Sequence, residues 1–415
     1  MLGNYFNVAA NEQLDTDIKV EFENNSGGSI ILNDFSFKEV ILGESLLTPG
    51  LQTSVVCDSY RHGTVKELDK LKGASVSIVA GNPLYGDVYF DTKQTIYRLE
   101  NRFPIDTNNE EMTFRACDPT MLNNAINLVS KSWGCAKPSD VVRYVMRSCL
   151  GAKNIDVEDA NPARDYLAEN IHPFQVISQQ SNLALAKDDD PSFIHYMTYK
   201  KGGTHHFRSL KSLTQQSPVW QYEEMQADTS PIKNPNGMLS HTFPCDFDLL
   251  SDLLNGISPD GKNISSVLLF NEKDKTFSLV GNQIIGCGIG GGPAKLAKTN
   301  VTTAKNQNAC NDSVGPILML RQARMSLLEN DKIMLRMTVP FKPDLHVGDV
   351  ISAIFHNKET KEWNYGSGDY LILHLMHNLK KGGFATTTIS CVTRGEPTQM
   401  SPAMKEAMAM EGREY

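Results

Sequence analysis

The residues of this chain whose types could do chemistry are few and mostly isolated. His195, His205 and His206 lie within two strand-like runs, 192–199 and 204–210. Adjacent strand residues point to opposite faces, so His205 and His206 cannot easily chelate one ion together. His195 lies near in the partner run, but a metal site needs a third ligand in defined geometry. The expectation is a structural role for all three. His374 and His377 also face opposite ways on one predicted strand. His377 falls on a leucine face, where a hydrogen-bonded core histidine is the ordinary case.

Gly286-Cys-Gly-Ile-Gly-Gly291 matches GxGxxG in form. A dinucleotide fingerprint needs a buried strand before it and an amphipathic helix after it, so that helix amides meet the pyrophosphate. Gly292-Pro-Ala-Lys-Leu-Ala-Lys-Thr follows, a poor helix for that role, and a loop is expected. Asp188-Asp189-Asp190 reads as a solvated turn. Glu223 and Glu224 are adjacent without a convincing partner for paired-carboxylate hydrolysis. Lys200-Lys201 and Lys380-Lys381 read as solvated turn pairs. No GKS or GKT, no GxSxG and no HExxH occurs. The reading predicts no catalytic, cofactor-binding or metal-ligating residue, and no cofactor.

The elements that carry these residues are mainly strands. The clearest are at the C-terminal end. There 345–355, 368–378 and 384–394 form three strand-like runs broken by glycine-bearing turns. In the middle run Leu371, Leu373, Leu375 and Leu379 share one face. Tyr370, Ile372, His374, Met376 and Asn378 share the other, a period of two. Lys380-Lys-Gly-Gly383 can supply the positive φ of a hairpin turn. An antiparallel meander follows. Residues 333–339 alternate as a further strand, which Pro340 ends.

Residues 1–118 also read as short strands: Ile18, Val20 and Phe22 alternate with Lys19 and Glu21, and apolar runs follow at 29–32, 35–42, 51–57, 74–80, 87–90, 95–99 and 112–116. The pattern changes at Asp118. A helix is expected over 119–129. A second opens at Lys137-Pro-Ser139, with Ser139 accepting from the first-turn amides, Asp140 near the positive end of the dipole and Gly151 as terminator. A third begins at Pro173 and runs to about Ala186. The hairpin of the three histidines completes an α+β unit between two β regions. Beyond it, 246–254 and 312–329 read as helices, 265–270 and 276–280 as strands, and 281–310 as a long loop or arm. The last twenty residues read as a polar tail.

Composition sets the bounds. The chain has 415 residues, 40% of them hydrophobic and 21% charged, enough for two or three globular cores. The formal charge of −8 does not favour a duplex nucleic-acid binder. No apolar run of about 20 residues occurs, so no membrane span is expected. The first residues lack the basic start and apolar core of a secretory signal. The 8 cysteines are scattered and never form CxxC, which predicts free thiols made in a reducing compartment.

Order and spacing of motifs add a resemblance. The segments 137–142 and 172–177, then the hairpin 192–210, then His346-Val-Gly-Asp349 and Ser367–His377 with a lysine-glycine turn and a threonine-rich strand, resemble the baseplate hub proteins of contractile-tailed phages. They are similar too to the hub part of type VI secretion spikes and of gpD-like tail proteins. That resemblance implies a mainly β chain: a first tube-like antiparallel β-barrel domain at 1–118, an α+β inserted domain at 119–215, a second tube-like barrel domain at 216–395 with the long loop 281–310, and a tail at 396–415. It implies a homotrimeric, non-enzymatic adapter in the virion baseplate, made in the host cytoplasm. Three chains would supply six barrels, joining a sixfold tail tube or distal tube ring to a threefold central spike. The spike is expected as a separate protein, with other baseplate proteins as neighbours. DNA would pass through the channel without sequence-specific binding, and no stable membrane insertion is implied. The alternatives are a distal tail or tube-initiator protein, and a β-rich tail enzyme that binds or hydrolyses carbohydrate.

Overall fold

The computed structural model describes residues 17–23, 29–30, 35–60, 72–82, 87–187, 190–224, 236–244, 266–271, 276–281, 294–299, 333–355, 366–380 and 385–393. The chain is mainly β. Its first strands are β1 (Asp17–Glu23), β2 (Ser29–Ile30), β3 (Phe35–Ser45), β4 (Gln52–Tyr60), β5 (Ser75–Asn82), β6 (Asp87–Pro104) and β7 (Asn109–Cys117). An α+β stretch follows: α1 (Pro119–Ile126), β8 (Val129–Ala136), α2 (Pro138–Tyr144, extended by a wide turn Val145–Cys149), β9 (Asn154–Val157), β10 (Arg164–Ile171), α3 (Pro173–Ser181), β11 (Phe193–Thr198), β12 (Thr204–Ser209) and α4 (Leu210–Thr214). The remaining strands are β13 (Trp220–Glu224), β14 (Gly237–Met238), β15 (Ser240–Thr242), β16 (Ser266–Asn271), β17 (Thr276–Gly281), β18 (Ala294–Thr299), β19 (Ile333–Pro340), β20 (Val350–Ile354), β21 (Gly368–Lys380) and β22 (Thr386–Thr393).

One sheet runs through both β regions, in the order β14-β13-β20-β21-β3-β4-β7-β6-β5-β1-β2. Its joint is β21. One edge of β21 pairs first with β20, over 368–371, and then with β3, over 374–380. The other edge pairs with β22 over 371–378. β22 pairs with β19, and β19 with β15. Because β14 pairs back onto β13, the C-terminal pairings close a circuit through the segment 237–242.

Three buried clusters underlie this layout. The N-terminal one takes the inward positions of alternating strands, such as Val76 and Ile78 on β5 and Met112 and Phe114 on β7. The C-terminal one holds Tyr222, Leu335, Ile351, Tyr370 and Ile389. The third fills the α+β stretch with Val141, Val145, Met146, Ile177, Phe193 and Phe207. Each fully buried side chain of this size is worth roughly 1.5–3 kcal/mol, so each cluster is a core in its own right. β11 touches all three: Phe193 enters the third, Ile194 and Tyr196 the C-terminal one, and Met197, with Tyr199 just beyond the strand, the N-terminal one.

Several expectations need correction. The runs 87–90 and 95–99 are one strand, β6, of 18 residues. The ladders are not all antiparallel: β13–β20, β13–β14, β12–β9 and β16–β18 are parallel. α2 is capped by Lys137, because Pro138 takes the first helical position; Ser139 lies inside the turn and its hydroxyl donates to Asp159 Oδ1 at 3.2 Å. α1 stops at Ile126, and α3 stops at Ser181, after which Leu185 exchanges two backbone hydrogen bonds with Asn161. The expected loop 281–310 contains β18, a strand defined by its pairing with β16. Asp190 is buried, accepting from the Ser192 hydroxyl and the Lys211 N–H, and is no solvated turn residue. On β21 the alternation holds from Leu373 onward but fails at 370–372, where both faces are buried next to the bulge at Ile372/His374. The GxGxxG stretch, the proposed helices 246–254 and 312–329, Asp188, Asp189, the turn 381–384 and the tail lie outside the described residues.

Candidate functional site

The histidines of the hairpin are brought together in part. β11 and β12 pair antiparallel with His195 opposite Phe207, so His195 and His205 fall diagonally on one face. His195 Nε2 lies 3.0 Å from His205 Nδ1, and His205 Nε2 lies 3.0 Å from Thr120 Oγ1. Thr120 Oγ1 donates to Asp118 Oδ1 at 2.5 Å, which leaves it to accept from His205. His205 Nδ1 is then bare and accepts from His195. Burial pushes His205 down to about 3, with the His206 charge acting the same way. Burial first, then His205 and His206, holds His195 well below its ordinary value. Both rings are therefore neutral.

His206 faces the other way. Its Nδ1 is 3.0 Å from Asp156 Oδ2 and its Nε2 is 3.0 Å from Thr198 Oγ1. The His206 hydrogen bond holds the Asp156 carboxyl below its usual range despite burial. The three histidines thus tie the hairpin to α1 on one side and to β9 on the other. No group of three His, Cys, Asp or Glu side chains able to hold a metal ion occurs among the described residues. His377 is buried on β21, with Nδ1 2.9 Å from Thr387 Oγ1, and burial pushes it to about 3. Glu223 and Glu224 lie on β13. Cys57, Cys117, Cys135, Cys149 and Cys391 are free thiols. No helix among the described residues is long and apolar enough to cross a membrane.

A further buried polar arrangement lies at the seam where the hairpin meets both β regions. Val40 and Leu42 put the even positions of β3 inside, and the next even position is Glu44. Its fully buried side chain accepts from three donors on two distant segments: Tyr199 N–H at 2.6 Å, His346 Nδ1 at 3.0 Å and Val347 N–H at 2.9 Å. Both oxygens accept, which is the pattern of an ionised carboxylate. Tyr199 continues the chain: its hydroxyl donates to the Gln52 carbonyl at 2.9 Å and accepts from Thr53 Oγ1 at 2.9 Å. Asp349 Oδ2 closes the 346–349 turn by accepting from His346 N–H at 2.9 Å. Burial lowers His346, but the charge and hydrogen bond of Glu44 and the charge of Asp349 outweigh it, leaving the imidazole above its ordinary value. Burial raises the Asp349 carboxyl.

Two glycines let the backbones approach at this seam. Gly202, at φ +77, presses the turn after β11 onto β6, where a Cβ would lie 2.9 Å from the Asp91 carbonyl oxygen. Gly348, at φ +86, packs under Tyr196. The arrangement fixes the hairpin, the 345–349 turn and β3 relative to one another. The sequence reading passed over Glu44, and took Tyr199, His346 and Asp349 only as members of strand-like runs and of the resemblance, not as its partners. One signal was present: an acid in the inward register of an apolar strand requires a buried partner.

Comparison with solved structures places this architecture. No family model matches the sequence, and no curated protein matches it. A tail protein from Neisseria meningitidis MC58 superposes with a TM-score of 0.58 at 11% identity, covering 90% of this chain and 96% of its own. The 43 kDa tail protein of prophage MuSo2 from Shewanella oneidensis gives a TM-score of 0.56 at 8% identity, covering 91% and 99%. The likeness is one of fold and extends over nearly the whole of each chain: this protein has the fold of a tail protein.

Proposed function

We propose that this chain is the structural hub of a phage-type baseplate. The observation that carries the reading is a fold shared with two tail proteins over 90% and 91% of the chain. In this reading 1–118 and 216–395 are two tube-type barrel domains, and 119–215 is the domain inserted between them. Three copies place six such domains in a ring, which adapts a sixfold tube to a threefold, separate spike. The ring lies in the virion baseplate, lines the channel through which DNA leaves and catalyses nothing. Ring closure covers strand edges that would otherwise stand open. The part of β6 from Tyr97 onward fits that role: among the described residues it pairs only with β7, and it carries the exposed Tyr97, Phe103 and, just beyond, Ile105. A net charge of −8 suits a bore in which phosphates slide and are not gripped.

The test is native mass spectrometry with negative-stain class averages of the purified chain. The expected result is a species of three 46.0 kDa chains, a ring with six peripheral lobes and an open bore. A monomer that stays monomeric when mixed with its cognate spike protein overturns the reading.

A further inference from the structure

Glu44 is a carboxylate with no solvent exposure. Burying a charge is costly unless it is paired. Two of its three donors, the amides of Tyr199 and Val347, are neutral. The third, His346 Nδ1, is the one hydrogen-bonded donor that can carry a compensating charge. The other groups around His346 are Asp349 on its own turn, Lys200 in the turn after β11, and the neutral His377 on β21. Asp349 favours the imidazolium, whereas Lys200 opposes it.

We propose that the Glu44–His346 pair is a pH-sensitive latch: protonated, it pins the 345–349 turn and the end of the β11 hairpin to β3; deprotonated, it loosens both together. The sheet itself stays intact, because seven register pairs between β21 and β3 do not involve the imidazole. The sign follows from linkage. His346 sits above its ordinary 6.5 in the folded chain. Its contribution is therefore fully present below 6.5 and is lost as the pH rises through the folded value. The lost proton goes to solvent, and Glu44 is left with neutral donors only. This device is independent of the baseplate reading, since it concerns one chain.

The experiment uses the full chain. Histidine-labelled protein is titrated by NMR from about pH 5 to about pH 9, the range of imidazole switching. Amide protection factors at Tyr199, Val347 and Asn378 are measured across the same range. The expected result is a His346 midpoint above 6.5, with protection at Tyr199 and Val347 falling through that midpoint. The fall is about tenfold for each unit by which the midpoint exceeds the ordinary value. Asn378, in the β21–β3 ladder, keeps its protection. His346→Gln removes the pH dependence at Tyr199 and Val347, and Glu44→Gln lowers the His346 midpoint. A wild-type midpoint at or below 6.5 overturns the latch, and so does protection that ignores the midpoint. The wild-type titration decides even where a variant does not fold.

Discussion

Gly348 and Tyr196 share one space. A Cβ on Gly348 would lie 2.9 Å from the Tyr196 hydroxyl oxygen and 3.3 Å from Cζ, and the glycine holds φ at +86. Gly348→Ala therefore meets two costs, a left-handed backbone and a clash. Together they amount to about 1–3 kcal/mol, read as a lower denaturant midpoint at constant m. Adding Tyr196→Phe removes the oxygen and recovers part of the clash, but none of the backbone cost. A double mutant no better than Gly348→Ala assigns the whole loss to φ.

Tyr199 makes the other tight connection. Its hydroxyl bridges Gln52 and Thr53 on β4, while its amide meets Glu44 on β3. Tyr199→Phe keeps the ring in the N-terminal core and removes the hydroxyl bonded to the Gln52 carbonyl and the buried Thr53 hydroxyl. The expected loss is about 1–3 kcal/mol of stability. Equilibrium unfolding of the variant measures it, and a neutral result would mean that water replaces the hydroxyl.

Acid should destabilise the chain through its buried histidines. His205 and His377 are pushed to about 3 by burial, whereas an unfolded imidazole titrates near 6.5. The unfolded chain thus binds more protons between those values. The contribution of these two histidines is full above 6.5 and falls as the pH drops toward about 3. His377→Asn keeps a donor toward Thr387 and removes the titration. It should flatten the slope of stability against pH in that window by up to about 1.4 kcal/mol per unit. Urea midpoints at a series of pH values give both slopes, and parallel slopes would rule out His377 as a contributor.

The difference between what could be read from the chain and what could not has a physical basis. Alternation on β21 was readable because Leu375, His377 and Leu379 are buried while His374, Met376 and Lys380 between them are exposed, and the proline-started helices because Pro138 and Pro173 fix φ at the first turn. β8 was not readable: Val129 is its one buried residue, so no apolar period marks it. β9 was hidden because a four-residue strand in a parallel ladder with β12 owes its existence to a distant partner. The seam was hidden for the same reason. Glu44 meets Tyr199 across 155 positions and His346 across 302, and no local pattern encodes such a meeting. The placement of His205 and His206 on opposite faces, by contrast, follows from strand alternation that the sequence already implied.

The exposed half of β6 gives the sharpest test of assembly. Tyr97 is 50%, Phe103 57% and Ile105 52% exposed, all on or just beyond the stretch of β6 from Tyr97 to Pro104, which pairs with β7 alone among the described residues. An isolated exposed apolar residue needs no explanation, but a row of them along a strand with one open edge is a template for another chain. Phe103 has no place in any of the three cores, so Phe103→Asp should change the stability of a single chain by no more than about 0.5 kcal/mol. In a ring built on this edge the same change buries a carboxylate against a neighbour. Loss of a central aromatic contact costs about 2 kcal/mol or more, which weakens self-association by more than tenfold. Sedimentation velocity over a concentration series separates the two effects. A dissociated chain with an unchanged melting temperature places the subunit contact at β6. A ring that persists with Phe103→Asp, and also with Tyr97→Asp, moves the contact to another face of the sheet.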